Sequence, residues 1–178
     1  MAKRKPSLAS ISEQLKAPAE SVRELNASTD KSPNHDLERA IPYLLARAGT
    51  RMGQSFSKEL KQFNLSLTEW RVCVALHHAA HQRLSDLALH TSTEPSTLSR
   101  VVDGLLQRGI LVRDRSDEDA RALALSLTDA GRDLALRIIP LAQLYERVSL
   151  SGLSLAQAES LRDMLRMVYD NLEVLDNE

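Results

Sequence analysis

The stretch "TEPSTLSRVVDGLLQRG", Thr93 to Gly109, decides the fold. Leu98, Val101, Val102, Leu105 and Leu106 recur at i, i+3, i+4, i+7 and i+8, the rhythm of a half-buried helix. Pro95 sits in the first turn and Gly109 just past the end, as helix punctuation expects. The other face opens on Ser96, Thr97, Ser99 and Arg100, short hydroxyls and one guanidinium in place of the usual Lys and Glu. Such a start suits close approach to another hydrogen-bonding surface.

On both sides of this helix the period changes. Downstream, "ILVRDRS" and "ALALSLT" read as strands, and in the second Leu123, Leu125 and Leu127 alternate with Ala122, Ala124 and Ser126. The charged segment from Ser116 to Arg121 joins them as a hairpin with a long polar tip. Upstream, "RLSDLALHT" is a short helix with Leu84, Leu87 and Ala88 turned inward. Helices over 84–90 and 95–108, joined by the tight segment His90 to Glu94 and followed at once by a hairpin, form a winged helix-turn-helix. In that motif the second helix enters the DNA major groove, led by its N-terminal residues. Small hydroxyls bond bases or phosphate there, and Arg100 can fork onto a guanine or a phosphate. The helix N-terminus itself favours phosphate.

The flanks are helical. Leu37, Ile41, Leu44, Leu45, Ala48, Met52, Phe56, Leu60 and Phe63 set one long stripe, which Pro42 either starts or kinks and Asn64 ends. "SLTEWRVCVALHHAA" follows with Thr68 as the expected N-cap and Trp70, Val72, Cys73 and Leu76 inward. Thr128 caps a helix that Pro140 is expected to kink and Gly152 ends. Ser154 and Gln157 then form a capping box for a last helix carrying Leu161, Met164, Leu165, Val168, Leu172 and Leu175 on one stripe. The predicted fold is mainly α with a small β-hairpin wing. A DNA-binding core at 84–127 lies between dimerisation helices at 36–63 and 129–176, within a regulator domain at 36–178. Residues 1–35, rich in Ser, Ala and Pro, read as a flexible tail.

Composition limits the function. With 178 residues, 43% hydrophobic and 26% charged, the chain can build one domain with a real core. The net charge of −1 gives no bulk argument for nucleic acid. From Arg83 to Arg121 six arginines face seven acidic residues, so DNA binding must come from placement. Cys73 is the single cysteine, which excludes an intramolecular disulfide and fits a reducing cytosol. The N-terminus lacks an apolar run long enough for a signal peptide or a membrane span. A soluble cytoplasmic protein is expected. No nucleophile, Gly-rich loop or paired carboxylate makes a catalytic constellation, so no enzyme and no cofactor is expected.

Residues 37–175 resemble the MarR family of bacterial transcription regulators. "LTEWRVCVAL" resembles the family's second helix, and "TEPSTLSRVVDGLLQRGILVR" its recognition helix and first wing strand. "DEDARALALSLTDAG" resembles the wing, second strand and next helix. Family wings commonly read Asp-Arg-Arg; here Asp119, Ala120 and Arg121 stand in those places, and the middle arginine is missing. The resemblance implies that Arg121 enters the minor groove and that Asp119 orients it or braces the wing. With Ser96, Thr97, Ser99 and Arg100 on the helix and Arg113 and Arg115 on the first strand, these make the expected contacts to double-stranded operator DNA. The resemblance also implies a homodimer joined through first and last helices, and the two long apolar stripes ask for such a cover independently. It further implies a repressor released by a small aromatic acid or phenolic effector. Met52, Trp70, Arg71, His77 and His78 are the candidate wall residues.

Other readings compete at particular residues. His77 and His81, four apart, put two imidazoles on one helix face, which suits a metal-responsive regulator, yet two ligands do not complete a site. Cys73 among Val72, Val74 and Leu76 reads as core rather than redox sensor. Asp117 and Glu118 read as a solvated hairpin tip. The near-neutral module also admits a winged helix that binds protein rather than DNA.

Overall fold

A computed structural model describes residues 36–115 and 123–176. The expectations for the tail at 1–35 and for Asp117, Glu118, Asp119 and Arg121 at the wing tip lie outside the described residues.

Helix α1 runs Ile41–Leu60, α2 Leu67–His78, α3 Leu84–Thr91 and α4 Pro95–Gln107. Strands β1 (Leu111–Arg115) and β2 (Leu123–Leu127) follow, then α5 (Asp129–Ser149) and α6 (Leu155–Asp176). A 3-10 turn, Leu37–Arg39, precedes α1, with Asp36 Oδ1 accepting from the Glu38 amide. Pro42 is the second residue of α1, where a missing N–H breaks no helical bond, so it starts the helix. Asn64, at φ 53°, ends the 3-10 turn that extends α1.

The start of α2 differs from expectation. Ser66, not Thr68, is the N-cap: its Oγ accepts from the Glu69 amide and Glu69 Oε2 accepts from the Ser66 amide, at 3.2 and 2.6 Å. The reciprocal Ser-x-x-Glu pair satisfies two otherwise orphaned donors, an arrangement Thr68 does not have. Buried Val72, Cys73 and Leu76 make α2 central to the core, together with Leu60, Leu87, Leu98, Val102, Leu105 and Ile138. Each such side chain stabilises the fold by about 1.5–3 kcal/mol relative to exposure.

The strands pair antiparallel, Leu111 opposite Leu127, Arg113 opposite Leu125 and Arg115 opposite Leu123. Strict alternation is not observed in β2, where Ala124, Leu125, Ser126 and Leu127 are all buried. Helices α2 and α5 both pack against β2, and Gln82 exchanges two backbone hydrogen bonds with Leu125, so the strand is also paired on its second edge. Thr128 Oγ1 then accepts from the Gly131 amide to cap α5 and donates to Gly109 O at 2.7 Å. Helix α5 continues unbroken through Pro140. Ser154 and Gln157 form the capping box before α6.

The chain divides into two compact units, described separately. Residues 45–151 carry the helix-turn-helix, the strands and α5. The other unit holds the start of α1 and all of α6, and leaves Leu37, Ile41, Met164, Met167, Val168 and Leu172 exposed.

Candidate DNA-reading face and ligand cavity

Helix α4 buries Leu98, Val102 and Leu105 and turns Ser96, Thr97 and Arg100 to solvent, with Ser99 half-buried at the edge. The 3.6-residue period produces this division: the apolar and hydroxyl residues occupy different faces of one helix. Ser92, at φ 48°, reverses the chain between α3 and α4. Glu94 precedes α4 without capping it through its side chain, and Pro95 at the first position has no N–H to satisfy. The Ser96 and Thr97 amides therefore stand at an open helix start, next to their own hydroxyls. Arg100 forms no ion pair among the described residues. Arg113, on β1, donates to Asp103 Oδ1 at 2.8 Å, so its charge is locally balanced against the recognition helix. Arg115 ends β1 opposite Leu123.

Gln82, which no sequence pattern singles out, joins three elements. Its Nε2 donates to Ala75 O and Ala79 O, at 2.8 and 2.7 Å. With both amide hydrogens so engaged, its Oε1 accepts, and the His90 Nδ1 at 2.7 Å must carry the proton. Gln82 thus ties the end of α2 to the end of α3 while its backbone pairs with β2. A lone glutamine gives no signal from which such a role could be read.

A second feature lies at the other end of α2. Helices α1, α2 and α5 line an open cavity of about 860 Å³. Its wall includes Met52 and Phe56 from α1, Trp70 and Arg71 from α2, and Tyr145 and Val148 from α5. Phe56 stands edge-on to both Trp70 and Tyr145, with centroids 6.0 and 5.4 Å apart. Tyr145 donates its hydroxyl to Glu59 at 3.0 Å, which fixes the phenol ring. Gly53 also lines the cavity; a Cβ there would lie 3.0 Å from Leu67 Cδ2, so the bare position lets α1 and α2 approach. Arg51 and Arg71 reach the same wall, and neither has an ion pair among the described residues. An apolar chamber with edge-on rings and an unpaired cation suits a planar anion.

Of the expected wall residues, Met52, Trp70 and Arg71 line this cavity. His77 and His78 do not: they are exposed at the C-terminal end of α2. The cavity uses the first turns of α2, and a rise of about 1.5 Å per residue carries the histidines roughly 10 Å beyond Trp70. The alternative reading of a metal pair at His77 and His81 is not supported either. Helix α2 ends at His78, and His81, at φ 59°, turns back so that its Nδ1 lies 3.2 Å from Ser126 Oγ. The two imidazoles share no helix face, and the described residues contain no group of three metal-binding side chains. Cys73 is fully buried, and burial, with Glu69 nearby, pushes its thiol up to about 12. That leaves it protonated and unreactive at neutral pH.

A helix-turn-helix with an open, hydroxyl-lined recognition helix, followed by a β-hairpin, defines a DNA-binding transcription regulator of the winged-helix class. Comparison with known proteins names the family. The MarR family model matches residues 65–123. The HTH-type transcriptional repressor IacR of Pseudomonas putida is 31% identical over 134 residues, covering 75% of this chain and 80% of the relative. A MarR family regulator from Silicibacter pomeroyi superposes with a TM-score of 0.70 at 27% identity, over 77% of this chain and 92% of that one. BpsR of Bordetella bronchiseptica, whose DNA binding is regulated by 6-hydroxynicotinic acid, gives 0.68 at 25%, over 78% and 99%. The chain belongs to the MarR family, whose members are transcription regulators and not enzymes. No helix among the described residues is long and apolar enough to cross a membrane.

Proposed function

We propose that this protein is a homodimeric, cytoplasmic repressor that leaves its operator when a small aromatic acid or phenol enters the cavity between α1, α2 and α5. The observation that carries the reading is the pairing of an aromatic chamber with the unpaired Arg71 on its wall. In this reading Trp70, Phe56 and Met52 hold the ring, and Arg71 forms charge-assisted hydrogen bonds to the carboxylate. The regulation of BpsR by an aromatic acid supports the ligand class.

On the DNA side, Ser96, Thr97, Ser99 and Arg100 contact base edges and phosphates in the major groove. Arg113 and Arg115 flank the backbone from β1, and Arg121, oriented by Asp119, enters the minor groove. A second copy covers the exposed apolar residues of α6 and of the start of α1. The ligand acts by preferring a dimer whose recognition helices are wrongly spaced for the operator, and it releases DNA by no more than its differential affinity.

Trp70, the single tryptophan, reports on occupancy. Titration with salicylate, 6-hydroxynicotinate and a wider panel of aromatic carboxylates and phenols should change its fluorescence. Arg71→Ala should weaken the best-binding acid about tenfold or more, the size of a lost charged hydrogen bond. A panel that leaves Trp70 emission unaltered throughout contradicts the ligand class.

A further inference from the structure

The recognition helix ends on a clamp. Arg108, its C-cap residue, sends one guanidinium nitrogen to Glu69 Oε1 at 2.8 Å and another to Asn64 O at 2.7 Å. The three partners come from different parts of the fold. Asn64 is the left-handed residue that closes α1, and Glu69 lies in the first turn of α2. The other carboxylate oxygen of Glu69 accepts the Ser66 amide in the capping box. The pair is only partly exposed, at 32% for the Arg108 side chain and 19% for Glu69, so solvent screens it less than a free surface pair. Just beyond Arg108, Gly109 at φ 66° turns the chain into β1. The planar fork of arginine matches two acceptors at once, which a lysine ammonium holds less rigidly.

We propose that Arg108 is a positioning residue for DNA recognition, anchored by Glu69 and Asn64, and that this clamp sets the orientation in which α4 meets the major groove. The proposal rests on the DNA-binding reading above. Neither anchor reads DNA. Without the clamp, α4 keeps its buried contacts through Leu98, Val102 and Leu105 but loses the polar tie at its C-terminal end. The hydroxyls at the far end of the helix then lose their register on the bases.

Two substitutions separate this role from a simple charge effect. Glu69→Gln removes a negative charge from the protein, so electrostatics alone predicts unchanged or slightly tighter binding to the DNA polyanion. Gln retains the carbonyl needed for the capping box but cannot offer Arg108 a second acceptor. Arg108→Lys keeps the positive charge and loses the fork. Operator duplex selected from random sequences by the wild-type protein is titrated at several salt concentrations. We expect each variant to bind about fivefold or more weakly with an unchanged salt slope, and the double variant to be no weaker than the worse single one. Thermal melts show whether the variants remain folded.

Amide exchange in the DNA-free full chain gives an independent readout. Protection of the Arg108, Gly109 and Ile110 amides, which bond to Gly104, Leu106 and Leu105 carbonyls, should fall in both variants. Unchanged or tighter operator binding by Glu69→Gln, with wild-type binding by Arg108→Lys, overturns the proposal. A loss confined to Arg108→Ala, with a salt slope lower by about one ion, makes Arg108 a phosphate contact and overturns it equally. Failure of the wild-type protein to retain any duplex contradicts the DNA-binding reading instead, and amide exchange still decides the clamp.

Discussion

Gly131 shows how strictly one residue can be determined. A Cβ at this position would lie 2.2 Å from Ile110 O, inside the contact that joins the first turn of α5 to the base of the hairpin. The neighbour is backbone, so it cannot swing away. Gly131→Ala should therefore destabilise the protein by about 1–3 kcal/mol, despite the better helix propensity of Ala. Urea titration of both proteins checks this, and equal midpoints contradict it. Arg100 is determined differently, by what it lacks. It is exposed on the hydroxyl-lined face of α4 and has no ion pair among the described residues, whereas Arg113 is held by Asp103. Arg100→Ala should cost about 1–3 kcal/mol of operator binding and relax the preferred base at one position. Binding assays on single-base operator variants measure both effects. A uniform loss across all variants would assign Arg100 to phosphate alone.

Among the elements, the wing extends the same logic. Arg121 follows three acidic residues in the sequence, Asp117 to Asp119, which repel phosphate, so in the proposed reading it supplies the attraction of that segment for DNA. Arg121→Ala should weaken operator binding by roughly tenfold, about 1.4 kcal/mol, while the melting temperature stays unchanged. Wild-type affinity in a folded variant shows that the wing does not read DNA. The elements themselves are legible in proportion to how local their causes are. Helix α4 is readable because its period, its Pro95 and its Gly109 all lie within one stretch. The capping box of α6 is equally local. The N-cap of α2 falls two residues from its expected place because Ser66 and Thr68 are both good caps, and only the reciprocal bond with Glu69 separates them. Strand β2 is read correctly from its alternation, but its pairing with Gln82, far away in sequence, and the burial of Ala124 and Ser126 are encoded by no period. His77 and His81 form a pair on one face only if α2 continues past His78, and it does not. The cavity is half legible. Met52, Trp70 and Arg71 can be named from the sequence, but Phe56 and Tyr145 meet there through the packing of α1 against α5.

The whole molecule is organised around two surfaces that one chain leaves open. The first is apolar: Met164, Met167, Val168 and Leu172 on α6, with Leu37 and Ile41 ahead of and within the start of α1. Exposed aliphatic surface of this extent is costly in water. Light scattering at micromolar concentration should return twice the 19.8 kDa chain mass, and a monomer contradicts the dimer. The second is the hydroxyl-lined face of α4, proposed to read DNA, in the same compact unit as the cavity walled by α1, α2 and α5. In the proposed mechanism, ligand binding at one place changes the free energy of binding at the other, typically by about 1–3 kcal/mol. The decisive quantity is the affinity for labelled operator duplex, measured by anisotropy with and without a saturating aromatic acid. At least one acid should weaken wild-type binding by about 5–150-fold, and Arg71→Ala should need a higher concentration of the same acid for the same release. Operator affinity that stays constant across the whole panel, in a protein that binds the duplex, would contradict ligand-driven release.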